Sequence, residues 1–82
     1  MTDAEFDILD ELYFVIPFED LQKQLDMDKI ELTEHLKAIF GKGWLRIFSS
    51  PDGTADVVNI TNENLITSYL LASKAGLKAH NS

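Results

Sequence analysis

The chain has 82 residues and a mass of 9.3 kDa, a size at which one domain buries roughly 60 to 65% of the surface its unfolded chain exposes. Hydrophobic residues at 45% and charged residues at 26% exclude a disordered or fibrous chain, and the lack of cysteine excludes disulfides, thiolate metal sites and thiol catalysis. The net charge of −7 is the wrong sign for a protein that grips phosphate over most of its surface.

The first predicted element opens on Thr2-Asp3-Ala4-Glu5, a capping box in which Thr2 and Glu5 satisfy each other's orphan amides. Phe6, Leu9, Tyr13 and Ile16, with Leu12 beside them, recur at helical spacing, while Asp7, Asp10 and Glu11 fall opposite. This predicts an amphipathic helix over about 3–15, stopped by Pro17. The acidic N-terminus is the reverse of a signal peptide, so the chain reads as cytoplasmic. The longest apolar run, Tyr13 to Phe18, is far short of the roughly 20 residues of a membrane span.

Pro17 can open the next helix, 18–25, where its missing N–H costs nothing; Phe18, Leu21 and Leu25 share one face. Asp26-Met27-Asp28 makes a tight connection, and Asp28 is placed to cap a third helix over 29–41, with Glu31 completing a box-like pair. Leu32, Leu36, Ile39 and Phe40 form its core stripe, and Gly41-Lys42-Gly43 ends it. Two short strands, Trp44 to Phe48 and Ala55 to Ile60, flank Pro51-Asp52-Gly53, which predicts a β-hairpin over 44–60. Thr61 or Asn62 then caps a final helix over 62–79. No repeat or linker divides residues 1–82, which read as a single, mostly helical α+β domain.

Residues 18–27 resemble the supporting helix and turn of a winged helix-turn-helix domain. Glu34-His35-Leu36-Lys37-Ala38-Ile39-Phe40-Gly41-Lys42-Gly43-Trp44-Leu45 resemble the end of its recognition helix and the entry to its wing. The likeness is to small bacterial transcriptional regulators of the MarR and ArsR kind, and it spans roughly residues 6–60. It implies a dimeric DNA-binding regulator with Lys29, Thr33, Lys37, Lys42 and Arg46 as the contacts. Winged helices also serve as protein-interaction modules, so function must be argued from the surface itself.

That surface is poorly furnished for DNA. The face of the third helix opposite its core stripe carries Ile30, Glu31, Glu34, Lys37, Ala38 and Gly41, with no Arg, Asn or Gln to read base edges. Residues 1–34 carry eleven acids against Lys23 and Lys29, whereas residues 35–82 carry three acids against five bases. Electrostatics thus favours the alternative, an acidic winged-helix module that binds protein and not DNA.

In the last predicted helix, Leu65, Ile66, Tyr69, Leu70, Ala72, Ser73, Gly76 and Leu77 span about 160° of circumference, wider than a small core requires. Leu65, Ile66, Tyr69, Leu70, Ser73, Gly76 and Leu77 are therefore the expected homodimer seam. Trp44 and Phe48 share a strand face, either closing the hairpin onto the core or forming a stacking patch. His35 reads as a half-buried packing residue and His80 as part of a frayed tail; so far apart, they suggest no metal site. There is no P-loop, dinucleotide fingerprint or Ser/His/Asp arrangement, so neither an enzyme nor a cofactor is expected.

Overall fold

A computed structural model describes residues 1–51 and 61–81. The elements run α1 (Asp3–Asp10), β1 (Ile16–Pro17), α2 (Phe18–Leu25), α3 (Lys29–Gly41), β2 (Leu45–Phe48), α4 (Asn62–Ile66), β3 (Tyr69–Ala72) and α5 (Lys74–His80). Helices predominate, and the three strands form one antiparallel sheet in the order β1-β3-β2.

The Thr2/Glu5 capping box is present at the start of α1, but the helix ends at Asp10 and not near residue 15. Two forces act against continuation. Asp10 and Glu11 stand at the negative end of the helix dipole with no basic residue in the last turn. Downstream, Ile16 is needed in β1, paired with Leu70, so it cannot serve a helical stripe. Ile8, Leu9 and Leu12 are the hydrophobic residues α1 and its exit bury, whereas Phe6 and Tyr13 stay at the surface. Pro17 is tolerated in β1 because this strand lies at the sheet edge, where a missing donor leaves no ladder bond unmade.

Pro17 is also the N-cap of α2, with φ −65°, and α2 occupies the span its sequence signals indicate. The chain leaves α2 through Asp26, whose φ of 51° turns it sharply into Asp28. Asp28 caps α3 by accepting from the amides of Ile30 (3.0 Å) and Glu31 (3.4 Å), while the Glu31 carboxylate lies 3.6 Å from His35. Leu32, Leu36 and Ile39 are fully buried, as the stripe predicts. Gly43, at φ 79°, supplies the left-handed residue that turns the chain out of α3 into β2.

The continuous helix expected over 62–79 is three elements. Thr61 and Asn64 form a capping box that starts α4. Ser68 then bends the chain away: its hydroxyl donates to the Asn64 carbonyl, and its own carbonyl accepts from the Phe18 amide at 3.1 Å. Tyr69 to Ala72 enter the middle of the sheet, with Leu70 opposite Ile16 on one side and Ile47 on the other. Backbone bonds to both neighbours decide this run in favour of a strand. Ser73 restarts helix as α5, accepting from the Gly76 amide at 3.1 Å and donating to the Gly43 carbonyl at 2.6 Å. The second strand expected for the hairpin, Ala55 to Ile60, lies outside the described residues; the described antiparallel neighbour of β2 is β3.

One core joins the elements. Ile8, Leu9 and Leu12 from the α1 side meet Phe18 and Leu21 of α2, Leu32, Leu36 and Ile39 of α3, and Leu45, Ile47, Leu65 and Leu70 beyond them. Ile16, Trp44, Ile66 and Leu77 pack at its margin, so Trp44 closes against the core; Phe48 is itself buried.

Candidate interaction surface

The helix α3 stands between the core and solvent, and its polar residues divide sharply between those two sides. Thr33 is only 4% exposed, and its hydroxyl donates to the Lys29 carbonyl at 2.7 Å, one turn back. It is therefore an internal residue, not a phosphate or base contact. Lys42 is likewise occupied. Its ammonium lies 2.5 Å from Oε2 of Glu5 and 4.8 Å from the centroid of the Trp44 ring. Glu5 is 3% exposed, and the pair ties the first turn of α1 to the end of α3. The hydrogen bond from Lys42, followed by that from the Thr2 amide, holds the Glu5 carboxyl below its ordinary range, against the opposing effect of burial.

Besides the exposed Lys42, three of the expected contacts lie at or near the surface. Lys29 is exposed at the start of α3, Lys37 is half-buried, and Arg46 is exposed with its guanidinium 4.9 Å from the centroid of the Phe48 ring. The rest of the outer face of α3 is acidic or apolar: Glu31, Glu34 and Ala38 are exposed, and Ile30 is 73% exposed. An exposed isoleucine beside two carboxylates leaves Lys29 and Lys37 as the base-edge donors of this face.

Beside Ile30 the surface dips. A cavity of about 150 Å³ is bounded by Lys29, Ile30, Thr33 and Glu34 from α3 and by Glu63 and Ile66 from α4. A second depression shares Lys29 and Ile66 and runs on to Phe18, Glu19, Gln22 and Thr67. The two make one trough across α2, α3 and α4. Sequence reasoning puts Ile30 on the outer face of α3, but it misses the opposite wall, because Ile66 was assigned to a long helix facing a second copy. The capping pair Thr61/Asn64 was the available signal for a short, separate helix.

The expected dimer seam is largely spent inside the chain. Leu65, Leu70 and Gly76 are buried, and Ile66, Tyr69, Ser73 and Leu77 are half-buried. A Cβ on Gly76 would sit 2.3 Å from the Trp44 carbonyl oxygen, so this glycine permits close approach within the protomer.

A second cluster gathers where α5 meets α1. The His80 side chain is 8% exposed, stacks on Phe6 with ring centroids 4.2 Å apart, and has Nδ1 2.8 Å from the Tyr13 hydroxyl. That hydroxyl lies 3.2 Å from Oδ1 of Asn81, to which it donates, and Nε2 of His80 lies 3.4 Å from Asp10. His80 thus belongs to a clasp that closes α5 on α1, not to a frayed tail. Next to the clasp, Phe14 is 83% exposed. Among the described residues no three His, Asp or Glu side chains gather as metal ligands, and no helix is long and apolar enough to cross a membrane. In comparison with known proteins, the chain matches no family model, no curated protein and no solved structure.

Proposed function

We propose that this chain is a non-catalytic winged-helix module that binds a protein partner through the outer side of α3 and does not read DNA. The winged-helix part of the reading is supported by the α2–turn–α3 pair followed by antiparallel strands, with β1 adding a third strand from between α1 and α2. One observation carries the choice of partner: Ile30 protrudes, 73% exposed, beside the exposed Glu31 and Glu34, on the side of α3 that would enter a major groove.

A DNA reader needs cations for phosphates and donors for base edges. The Thr33 hydroxyl is turned to the Lys29 carbonyl, and the exposed Lys42 is paired with the buried Glu5. The cations among the expected contacts are few, on a chain whose net charge is −7. The reading calls for no homodimer, since Leu65, Leu70 and Gly76 serve the protomer's own packing.

The test is a titration against random duplex DNA at about 20 mM and about 150 mM salt, because phosphate contacts strengthen steeply as salt falls. No binding is expected even at the lower concentration. Salt-dependent binding that Lys37→Ala and Arg46→Ala each weaken would restore the DNA-binding regulator.

A further inference from the structure

The trough beside α3 has walls of one kind and a rim of another. Ile30 and Ile66 face it at one end and Phe18 lines the other, with Lys29 and Ile66 common to both depressions. At the rim stand Glu34 and Glu63 around the first depression and Glu19 beside the second, against Lys29; Glu19 is shared with Lys23 at 3.4 Å. Two depressions that share Lys29 and Ile66 suit two apolar side chains that project from one face of a helix. A cavity of about 150 Å³ has room for one large aliphatic side chain. The carboxylates at the rim then decide the sign of what flanks those anchors.

We propose that the α2–α3–α4 trough binds a cationic amphipathic helix of a partner protein, with two apolar anchors one turn apart in the two depressions and Lys or Arg beside Glu34 and Glu63. The proposal rests on the reading of α3 as a protein-binding face and names its occupant. Charge selects this occupant over the α1 or α3 face of a second copy of the chain, both of which are acidic. Charge likewise disfavours an acidic peptide, whose flanking carboxylates would meet Glu34 and Glu63.

The experiment uses the whole chain and a fluorescein-labelled peptide of about 14 residues, long enough to form helix on binding. The peptide carries Leu at two positions four apart and Lys on the flanks; a second peptide replaces every Lys by Glu. The Lys peptide is expected to bind, more weakly as salt rises, and the Glu peptide is not. Ile30→Ala, an exposed substitution that leaves the core untouched, is expected to weaken the Lys peptide about tenfold. Glu34→Gln with Glu63→Gln should flatten its salt dependence, and amide shifts on binding should centre on Lys29, Ile30, Glu34, Glu63 and Ile66.

Equal binding of both peptides, or equal binding to wild type and Ile30→Ala, would overturn the proposal. So would shifts centred on Asp3 and Asp7 of α1, which would mean attraction to acidic surface at large. Failure here is distinct from failure of the broader reading, because the duplex titration tests α3 against DNA without any peptide.

Discussion

In the α2–α3 pair and in the α4–β3–α5 stretch alike, capping side chains start helices, at α3 and at α4 and α5, yet the two regions are held up by different kinds of contact. Asp28 satisfies amides two and three residues ahead, Asp26 closes α2 with a left-handed residue, and Leu32, Leu36 and Ile39 follow at helical spacing. Each signal is local, and each is met locally. In the C-terminal stretch, Thr61 and Ser73 cap equally well, but what lies between them is a strand whose backbone partners sit far away in the chain, at Ile16 and Leu45 to Phe48. The lesson is that a cap specifies where a helix begins, and only tertiary pairing decides whether the next apolar run continues it.

The sharpest way to break this comparison is to put a carboxylate into each region. Leu70 is fully buried in the central strand, so Leu70→Glu buries an unpaired charge. That costs several kcal/mol, about the whole stability of a small domain. Circular dichroism should show no cooperative thermal transition. Ile30→Glu in α3, at a site 73% exposed, should stay within about 0.5 kcal/mol of wild type. A folded Leu70→Glu protein would mean that 69–72 is a surface helix after all.

Glycine offers a finer contrast, because the same substitution should act with opposite sign. A Cβ on Gly76 meets the Trp44 carbonyl, whereas one on Gly41 meets nothing within 4 Å. Gly76→Ala should destabilise by about 1 to 3 kcal/mol through overpacking. Gly41→Ala, at the end of α3, should stabilise by about 0.5 to 1 kcal/mol, because alanine has less chain entropy to lose. Urea denaturation midpoints measure both, and equal signs would remove the claim of close α5–Trp44 approach.

A contrast of about the same size concerns how α3 is tied to α1. The Glu5 carboxyl is held below its ordinary range chiefly by Lys42, so its contribution to stability is present above the unfolded-state pKa and is lost as pH falls through the folded-state value. Denaturation midpoints should therefore fall on the acidic side of the usual carboxylate range. Lys42→Met should cost about 1 to 3 kcal/mol at neutral pH, because it leaves a buried carboxylate short of a partner. It should also flatten the acidic fall. Identical pH profiles for wild type and Lys42→Met would show that the pair contributes nothing.

The candidate surface was legible only on one side. That Ile30, Glu31 and Glu34 share the outward face of α3 follows from 100° steps along a helix whose start Asp28 announces. That Thr33 turns its hydroxyl to the Lys29 carbonyl, and that Lys42 reaches Glu5 thirty-seven residues earlier, follows from packing that no local pattern encodes. The clasp of Phe6, Tyr13 and His80 escaped for the same reason, since its members come from opposite ends of the chain.

By itself, then, the sequence determined α2, α3 and the turn between them, the caps at Thr2 and Asp28, and the acidic character of the face that α3 presents. These depend on hydrogen bonds and side-chain spacings that close within about one helical turn, so neighbouring residues suffice to specify them. Tertiary structure alone decided that α1 stops at Asp10, that Tyr69 to Ala72 form the middle strand, and that Ile66 stands across a trough from Ile30. A run of four apolar residues satisfies a helical and a strand period alike. What separated them was the set of backbone partners that β1 and β2 hold out on either side of β3.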